Sequence, residues 1–259
     1  MQSHTKIIEL LVSHCFRRSQ KYVLQSDANV GNGTLVSRRN FLAGSAAASA
    51  LVAGSPQLAQ AQAQAPAPAR GWQGYAFLTA PEVATLTAIV DRLIPADATG
   101  PGGVETGVVT FIDRQLAGRF GAAAEWYMQG PWATGTPSQG WQLATPPAML
   151  YRKGLLALDR FCQGTRSKGF SDLAAAEQDD VLTALEAGKI DLDGMSSAVF
   201  FEMVRENAIE GYLSDPLYGG NRNMAAWKMI GFPGANPVLT QALALKGQAY
   251  VVAPMAIGG

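Results

Sequence analysis

The sequence predicts an all-α protein, a single small helical domain with long loops rich in glycine, proline and aromatic residues. Three observations lead to this class. Apolar residues recur at the spacing of an amphipathic helix in five separate segments. No segment shows the strict alternation of a half-buried strand, and no Asn-Gly or Asp-Gly turn joins two alternating runs. Together they favour a small bundle with long connections.

The first two helices are predicted from their capping and their apolar faces. Thr79 and Glu82 form a capping box, and Pro95 ends the helix that follows. The second helix is expected at about residues 105–116. The apolar faces of these two helices consist of Val83, Leu86, Ile89, Val90 and Leu93 and of Val108, Val109, Ile112 and Leu116.

Three further helices complete the predicted bundle. Residues 120–147 lack helical periodicity and contain several Trp, Gly and Pro residues, so we predict a long ordered loop there. The third helix is expected at about residues 148–163. The fourth starts near Ser171 or Asp172 and ends before Gly188, and the fifth covers about residues 196–213.

The N-terminal part carries the pattern of a twin-arginine export signal. Arg38 and Arg39 are followed by Phe41 and Leu42, then by an uncharged stretch rich in Ala, Gly and Ser, and finally by Ala-x-Ala steps. We therefore predict a disordered export signal at residues 37–65 that engages the twin-arginine translocase. This route transports folded proteins, which typically acquire a cofactor in the cytoplasm.

The rest of the chain is divided by changes in composition. Residues 1–36 are either a translated extension or lie ahead of the true start, in which case translation begins at a non-standard codon for Leu35 or Val36. The predicted parts are an unstructured extension at 1–36, a linker at 66–78, the all-α domain at 79–250 and a tail at 251–259.

The residues beyond the signal offer almost no cofactor ligands. Both histidines, His4 and His14, precede the signal, and Cys162 is the only cysteine that follows it. Such a chain lacks the ligands of a c-type haem, a four-cysteine iron–sulfur cluster or a histidine-based metal site, and it has no Ser-His-Asp triad. We expect no cofactor in this chain. The simplest interpretation is that a partner exported with it carries the cofactor.

The charge distribution excludes another class of partner. Beyond residue 60 the chain carries 14 basic and 18 acidic side chains, a net charge of −4. Nucleic-acid-binding proteins need a basic patch to contact phosphates, and no Lys/Arg cluster is present here. We expect no nucleic-acid partner.

The segment at residues 211–234 contains the most specific pattern of the chain. It reads G-Y-x-S-D-P-x-Y-G-G-N and, after five residues, W-x-x-I-G-F-P-G, and it resembles the gluconate 2-dehydrogenase subunit 3 family. The run L-x-x-I-V-D-R-L-I-P-A-D from Leu86, the run F-I-D-R-Q from Phe111 and the twin-arginine signal are similar to the same family.

The resemblance implies a non-catalytic small subunit of a dehydrogenase complex. Such complexes oxidise sugars, sugar acids or polyols. They combine a flavoprotein of the glucose-methanol-choline oxidoreductase type, which holds FAD, with a multihaem cytochrome c, which holds haem c. The small subunit carries the export signal for the flavoprotein and stabilises it. The resemblance thus implies a location in the periplasm, in association with the inner membrane through the complex.

The aromatic and glycine-rich C-terminal segment is the candidate partner interface, since aromatic anchors favour interfaces. The alternative is an ordinary core loop. For Asp215, a turn-forming role is favoured over a catalytic one. The candidate interface residues are Tyr212, Asp215, Tyr218, Gly219, Gly220, Asn221, Trp227, Phe232 and Pro233.

Other interpretations stay open at this point. Glu202, Glu206 and Glu210 share one helix face, for which a solvated or arginine-paired face is favoured over a carboxylate metal site. For the Trp-rich loop, a docking surface or local packing is favoured over a sugar platform. The whole chain is alternatively a stand-alone periplasmic binding protein, or an export chaperone that does not stay bound.

Cys162 is the remaining candidate. It follows Phe161 near the end of the third predicted helix, so we expect it near the surface. An unpaired cysteine in an exported protein indicates either an intermolecular bridge or a buried, inert thiol. We favour a disulfide to the flavoprotein, with simple burial as the alternative.

Overall fold

The computed structural model describes residues 74–133, 135–136, 139–235, 245, 247–248 and 250–257. All of them belong to one compact unit, Pro68–Gly259. Helices dominate this part of the chain, which confirms the predicted all-α class. In chain order the elements are α1 (Ala80–Leu93), α2 (Val108–Ala117), α3 (Pro147–Arg166), α4 (Ala175–Glu186), β1 (Asp191–Leu192), β2 (Met195–Ser196), α5 (Ser197–Leu213) and α6 (Ala225–Ile230), with short 3₁₀ turns at Phe170–Asp172, Pro216–Tyr218 and Arg222–Met224.

The hydrophobic core lies around α5, which packs against α1, α2, α3, α4 and α6. The apolar faces predicted for the helices supply the buried side chains, because residues three and four positions apart share one face of a helix. The largest fully buried side chains include Leu86, Ile89, Ile112, Tyr151, Leu155, Leu158, Leu185 and Phe200.

The predicted start of α1 is confirmed, and an arginine of α3 reinforces it. The carboxylate of Glu82 accepts hydrogen bonds from the backbone N–H and from Oγ1 of Thr79, both at 2.8 Å. Arg152 forms an ion pair with the same carboxylate and donates to the carbonyl oxygen of Phe77 at 2.9 Å. Its guanidinium carbon lies 4.1 Å from the centroid of the Phe77 ring. These contacts join the first turn of α1 to α3.

The domain begins earlier than predicted, so the linker prediction at 66–78 is wrong for its last residues. The buried carboxylate of Asp113 on α2 accepts hydrogen bonds from three consecutive backbone N–H groups, at 2.7 Å from Ala76, 2.9 Å from Phe77 and 2.8 Å from Leu78. Leu78 is fully buried. These residues are therefore part of the folded domain.

Further boundaries differ from the sequence-based expectation. Helix α4 begins at Ala175 and not near Ser171 or Asp172, which belong to a separate 3₁₀ turn. Helix α2 begins at Val108 and not near residue 105, because Gly107 has a φ of +85° and cannot continue a right-handed helix. The predicted tail at 251–259 also joins the domain. Its residue Met255 donates to the carbonyl oxygen of Pro233 at 3.2 Å and accepts from the N–H of Ala235 at 2.8 Å.

A small hairpin around an Asp-Gly turn is an element that the sequence did not predict, because no alternating run flanks this turn. β1 and β2 pair antiparallel, with Leu192 opposite Met195. Asp193 and Gly194 form the connecting turn with φ values of 54° and 81°. A turn with two positive φ values suits right-handed strand twist and favours Asp-Gly. The strands escaped detection because two residues are too few to show an alternating pattern.

Helix α6 lies within the segment at residues 211–234 and is not among the five helices that the sequence predicts. It spans only six residues. Asn223 and Met224 before it have φ values of 58° and 53°, and Gly231 after it has a φ of 70°. These left-handed residues isolate a helix of fewer than two turns, a length too short to produce a periodic pattern in the sequence.

Candidate partner interface

Asp215 shapes the turn that follows α5. Its Oδ1 accepts a hydrogen bond from the N–H of Leu217 at 2.9 Å, which caps the 3₁₀ turn Pro216–Tyr218. Its Oδ2 accepts from the N–H of Ile257 at 2.7 Å, so the same carboxylate also holds the C-terminal segment. Asp215 is buried and both of its oxygens bind backbone groups. The turn-forming interpretation of this residue is confirmed.

Asn221 joins the end of α5 to the start of α6. Its side-chain Nδ2 donates to the carbonyl oxygen of Ser214 at 2.9 Å, and its Oδ1 accepts from the N–H of Ala226 at 2.9 Å. The residue has no exposed surface and adopts a left-handed conformation with a φ of 42°. Asn tolerates this conformation better than most residues. The side-chain amide of Asn221 therefore satisfies both the carbonyl group that follows α5 and an N–H group at the start of α6.

Two aromatic side chains anchor the same segment to the rest of the domain. The hydroxyl of Tyr212 donates to the carbonyl oxygen of Pro101 at 2.8 Å, and burial raises the pKa of this hydroxyl. The indole Nε1 of Trp227 donates to the carbonyl oxygen of Leu213 at 2.8 Å. The Trp227 ring meets the Phe232 ring edge-on, with 5.2 Å between the centroids. These contacts are typical of a packed loop.

The structure divides the nine predicted interface residues into two groups. Tyr218 and Phe232 are exposed and Pro233 is half-buried, so these three are accessible to a partner. The other six brace the segment from inside the chain, and for them the core-loop interpretation is the one that the structure supports. The buried six are Tyr212, Asp215, Gly219, Gly220, Asn221 and Trp227.

Sequence reasoning missed several exposed apolar residues that flank the accessible ones. Leu217 lies on the capped turn beside Tyr218, and Ile230 lies at the end of α6 near Phe232. Met255 and Ile257 reach the same segment through their backbone bonds to Pro233 and Asp215. No periodic signal marks such residues, because they lie on a turn, at the end of a six-residue helix and on the C-terminal segment.

Cys162 is fully buried, so the expectation of a near-surface position is wrong. The residue lies on the inner face of α3, and burial raises the pKa of its thiol to about 11. A buried thiol with a raised pKa is a poor nucleophile and cannot reach another subunit unless the end of the helix opens. The geometry of this chain supports the alternative of an inert, packed thiol.

The acidic face of α5 includes an arginine partner. Arg205 donates to the carboxylate of Glu202 at 2.5 Å and lies 3.6 Å from that of Glu186. For Glu202, the arginine-paired interpretation is therefore confirmed. In the described part of the chain, no group of three or more His, Cys, Asp or Glu side chains is arranged to hold a metal ion.

The Trp-rich loop combines packed and exposed aromatic residues. Trp126 lies between Phe120 and Trp141, with centroid distances of 5.6 Å and 5.1 Å. Tyr127 and Trp132 are exposed on the same loop. Local packing thus accounts for the first three rings, which confirms an ordered loop among its described residues.

The predicted export signal, with Arg38, Arg39, Phe41 and Leu42, lies outside the described residues. So does the predicted extension at 1–36. None of the helices within the described ranges combines the length and the apolar character needed to cross a membrane.

Comparison with known proteins assigns the family. The family model for gluconate 2-dehydrogenase subunit 3 matches residues 80–234, from the first residue of α1 to the glycine that ends the Gly-Phe-Pro-Gly run. No curated protein and no solved structure gives a significant match. The matched range covers more than half of the chain and contains all six helices described above. The chain therefore belongs to the gluconate 2-dehydrogenase subunit 3 family.

Proposed function

We propose that this protein is the non-catalytic small subunit of a periplasmic, membrane-associated dehydrogenase that oxidises sugars, sugar acids or polyols. The observation that carries the proposal is the family match over residues 80–234. The family itself comprises the third subunit of gluconate 2-dehydrogenase-type complexes. The proposal adds the division of labour, with FAD in a flavoprotein of the glucose-methanol-choline oxidoreductase type and haem c in a multihaem cytochrome c.

The first proposed role of the subunit is to carry the export signal for the flavoprotein. The pair Arg38 and Arg39, followed by Phe41 and Leu42, has the pattern that the twin-arginine translocase recognises. Because this translocase accepts folded proteins, a flavoprotein that has bound FAD in the cytoplasm can cross together with the chain that carries the signal. The second proposed role is to stabilise the flavoprotein after export.

The composition of the chain supports a non-catalytic role. Its two histidines, His4 and His14, precede the predicted signal, and the thiol of Cys162 is buried. These residues do not fit the attachment of haem c, which needs two cysteines and a histidine in close sequence. They also leave the domain without a histidine general base. We therefore assign the redox chemistry to the partner subunits.

Co-expression tests this function directly. A tagged copy of the chain is purified from the periplasm of cells that also produce the flavoprotein and the cytochrome. We expect all three to co-elute, with dye-linked dehydrogenase activity in the complex and neither a flavin nor a haem absorption band in the subunit purified alone. A flavin or haem band in the lone subunit would contradict the non-catalytic assignment. A flavoprotein that reaches the periplasm but never co-elutes would instead identify the chain as an export chaperone.

A further inference from the structure

Two arginine side chains lie on either side of the 3₁₀ turn Pro216–Tyr218. Arg114, on α2, places Nη1 3.5 Å from the carbonyl oxygen of Leu217. Arg222, which follows the turn, donates from Nη2 to Oγ1 of Thr110 at 3.0 Å. Thr110 and Arg114 are four residues apart on α2 and so share one face of that helix. Both guanidinium groups therefore lie at the same face of α2, where this helix meets the turn.

Two glycines make room for these guanidinium groups. A Cβ atom at Gly219 would lie 2.9 Å from Nη1 of Arg114. A Cβ atom at Gly107 would lie 2.6 Å from both Nε of Arg222 and the carbonyl oxygen of Gly219. Both glycines also have positive φ values, which disfavour other residues. The backbone around the turn thus leaves room for each of the two cationic groups.

Neither arginine pairs with a carboxylate of the residues that the structure describes, and this separates them from the other described arginines. Each of the other six forms at least one ion pair with an Asp or Glu side chain. Those six are Arg92, Arg119, Arg152, Arg160, Arg166 and Arg205. Two guanidinium groups at one face of a helix can each form a charge-assisted hydrogen bond with a carboxylate of a partner. Two arginines without a carboxylate partner among the described residues stand out here, because the chain beyond residue 60 carries more acidic than basic side chains, with a net charge of −4.

The turn between the two arginines exposes apolar surface. Leu217 is 54% exposed and Tyr218 is 47% exposed. Tyrosine and arginine are enriched at the energetically important centres of protein interfaces. Surfaces that bind anionic lipid instead depend on clusters of flexible lysines and arginines. The two guanidinium groups here are held by hydrogen bonds and backbone contacts, which suits the fixed geometry of protein carboxylates.

We propose that Arg114, Arg222, Leu217 and Tyr218 form a docking face for a carboxylate-bearing surface of the flavoprotein. In the complex, Leu217 and Tyr218 are buried against apolar side chains of the partner, and the two guanidinium groups pair with its carboxylates. The inference rests on the proposed function, which supplies the partner. It goes further in naming the face and the chemistry of the surface that the face recognises.

The test compares two double charge reversals that change the net charge equally. R114E/R222E alters the docking face, whereas R119E/R160E alters two exposed arginines whose partners are Glu125 and Asp193 elsewhere on the domain. Affinity for the purified FAD-loaded flavoprotein is measured by biolayer interferometry, and folding of each subunit variant by thermal melting. We expect R114E/R222E to weaken binding by ~100-fold and R119E/R160E by less than about threefold.

A conservative pair keeps the test decisive if the charge reversal perturbs folding. R114K/R222K preserves the charge but loses the planar donor geometry, so we expect it to melt like the wild type and to bind about tenfold more weakly. The inference would be overturned if R114E/R222E bound the flavoprotein as tightly as the wild type, or if R119E/R160E lost as much affinity. The proposed function would stand in either case. A wild-type subunit that does not bind the flavoprotein at all would refute both.

Vesicles of phosphatidylglycerol and phosphatidylcholine test whether the docking face binds anionic lipid headgroups instead of protein carboxylates. The wild-type subunit alone is mixed with these vesicles and sedimented. We expect no difference in sedimentation between the wild type and R114E/R222E. Vesicle binding that R114E/R222E abolishes, together with unchanged binding to the flavoprotein, would identify the face as a lipid site and overturn the inference.

Discussion

At the scale of single residues, the turn between α5 and α6 depends on buried polar side chains whose partners are backbone groups. Asp215 and Asn221 each bind two backbone groups that are distant from one another. Removing such a side chain leaves buried donors and acceptors without partners, which costs more than the bonds themselves contribute. The stability of the segment is therefore concentrated in a few side chains.

Replacement of Asn221 by Ala should destabilise the domain strongly. The change removes the partners of the Ser214 carbonyl and the Ala226 N–H, and we expect a loss of about 2–4 kcal/mol in the free energy of unfolding. Urea unfolding followed by circular dichroism measures it. Asn223→Ala is the matched control, because Asn223 also has a positive φ but is exposed. Equal losses in the two variants would show that backbone strain, and not the hydrogen bonds, accounts for the effect.

Cys162 should react slowly while the protein is folded. Burial raises the pKa of its thiol to about 11, so very little thiolate exists at pH 8. We expect a thiol reagent such as DTNB to modify Cys162 in the unfolded chain far faster than in the native subunit. Rapid modification of the native protein, at a rate independent of denaturant, would contradict the buried position.

The same pKa shift predicts how stability depends on pH. The folded protein holds the thiol proton more tightly than the unfolded chain, whose cysteine has a pKa of about 8.5. The contribution of Cys162 to stability is therefore complete below about pH 8.5 and is lost as the pH rises through about 11. Cys162→Ala should show a shallower decline over this range than the wild type, as measured by urea unfolding.

Non-reducing electrophoresis of the complex tests the disulfide that the sequence favoured. The buried thiol favours two separate bands, observed under conditions that block thiol exchange. A band at the summed mass that splits with reductant would instead show that the end of α3 opens when the flavoprotein binds and that Cys162 forms the bridge.

At the scale of elements, one side chain of α2 determines where the domain begins. Asp113 accepts hydrogen bonds from the N–H groups of Ala76, Phe77 and Leu78, and so attaches the segment ahead of α1 to the body of the domain. A carboxylate suits this position because it only accepts hydrogen bonds, and all three neighbours are donors.

Asp113→Ala should release this segment and destabilise the domain by about 3 kcal/mol, since three N–H groups, two of them buried, lose their partner. We expect limited proteolysis to cut the variant within residues 74–79 before it cuts the helices. Asp113→Asn should have a smaller effect, because its amide oxygen can still accept. Gln115→Ala, on the same helix, is the control and should leave the cleavage pattern unchanged. A variant Asp113→Ala that resists proteolysis like the wild type would show that packing of Leu78 alone holds the segment.

At the scale of the whole molecule, the proposed export of two proteins depends on one short signal. Arg38→Lys with Arg39→Lys should keep both this chain and the flavoprotein in the cytoplasm, because a guanidinium is recognised by its geometry as well as by its charge. Immunoblots of periplasmic and cytoplasmic fractions measure the distribution. Arg17→Lys with Arg18→Lys is the matched control, since this second arginine pair lacks the following Phe and Leu. A flavoprotein that still reached the periplasm would refute the shared signal.

Local pattern was sufficient for much of the fold. The five predicted helices exist, and the capping of α1 by Thr79 and Glu82 is as expected, because periodicity and capping act within one or two turns of a helix. The same locality explains the failures. The hairpin β1–β2 and helix α6 are too short to show a period, so only their turn residues carry a signal.

The sequence by itself determined the helical class, the core faces and the family pattern of the C-terminal segment. Only the tertiary structure decided which residues of that segment are exposed and which are buried, because burial there depends on contacts between distant positions. Asp113 meets Leu78 across 35 residues, Asp215 meets Ile257 across 42, and Arg114 meets Leu217 across 103. No local pattern encodes such pairs, since each is set by the way the helices pack and not by the spacing of neighbouring residues.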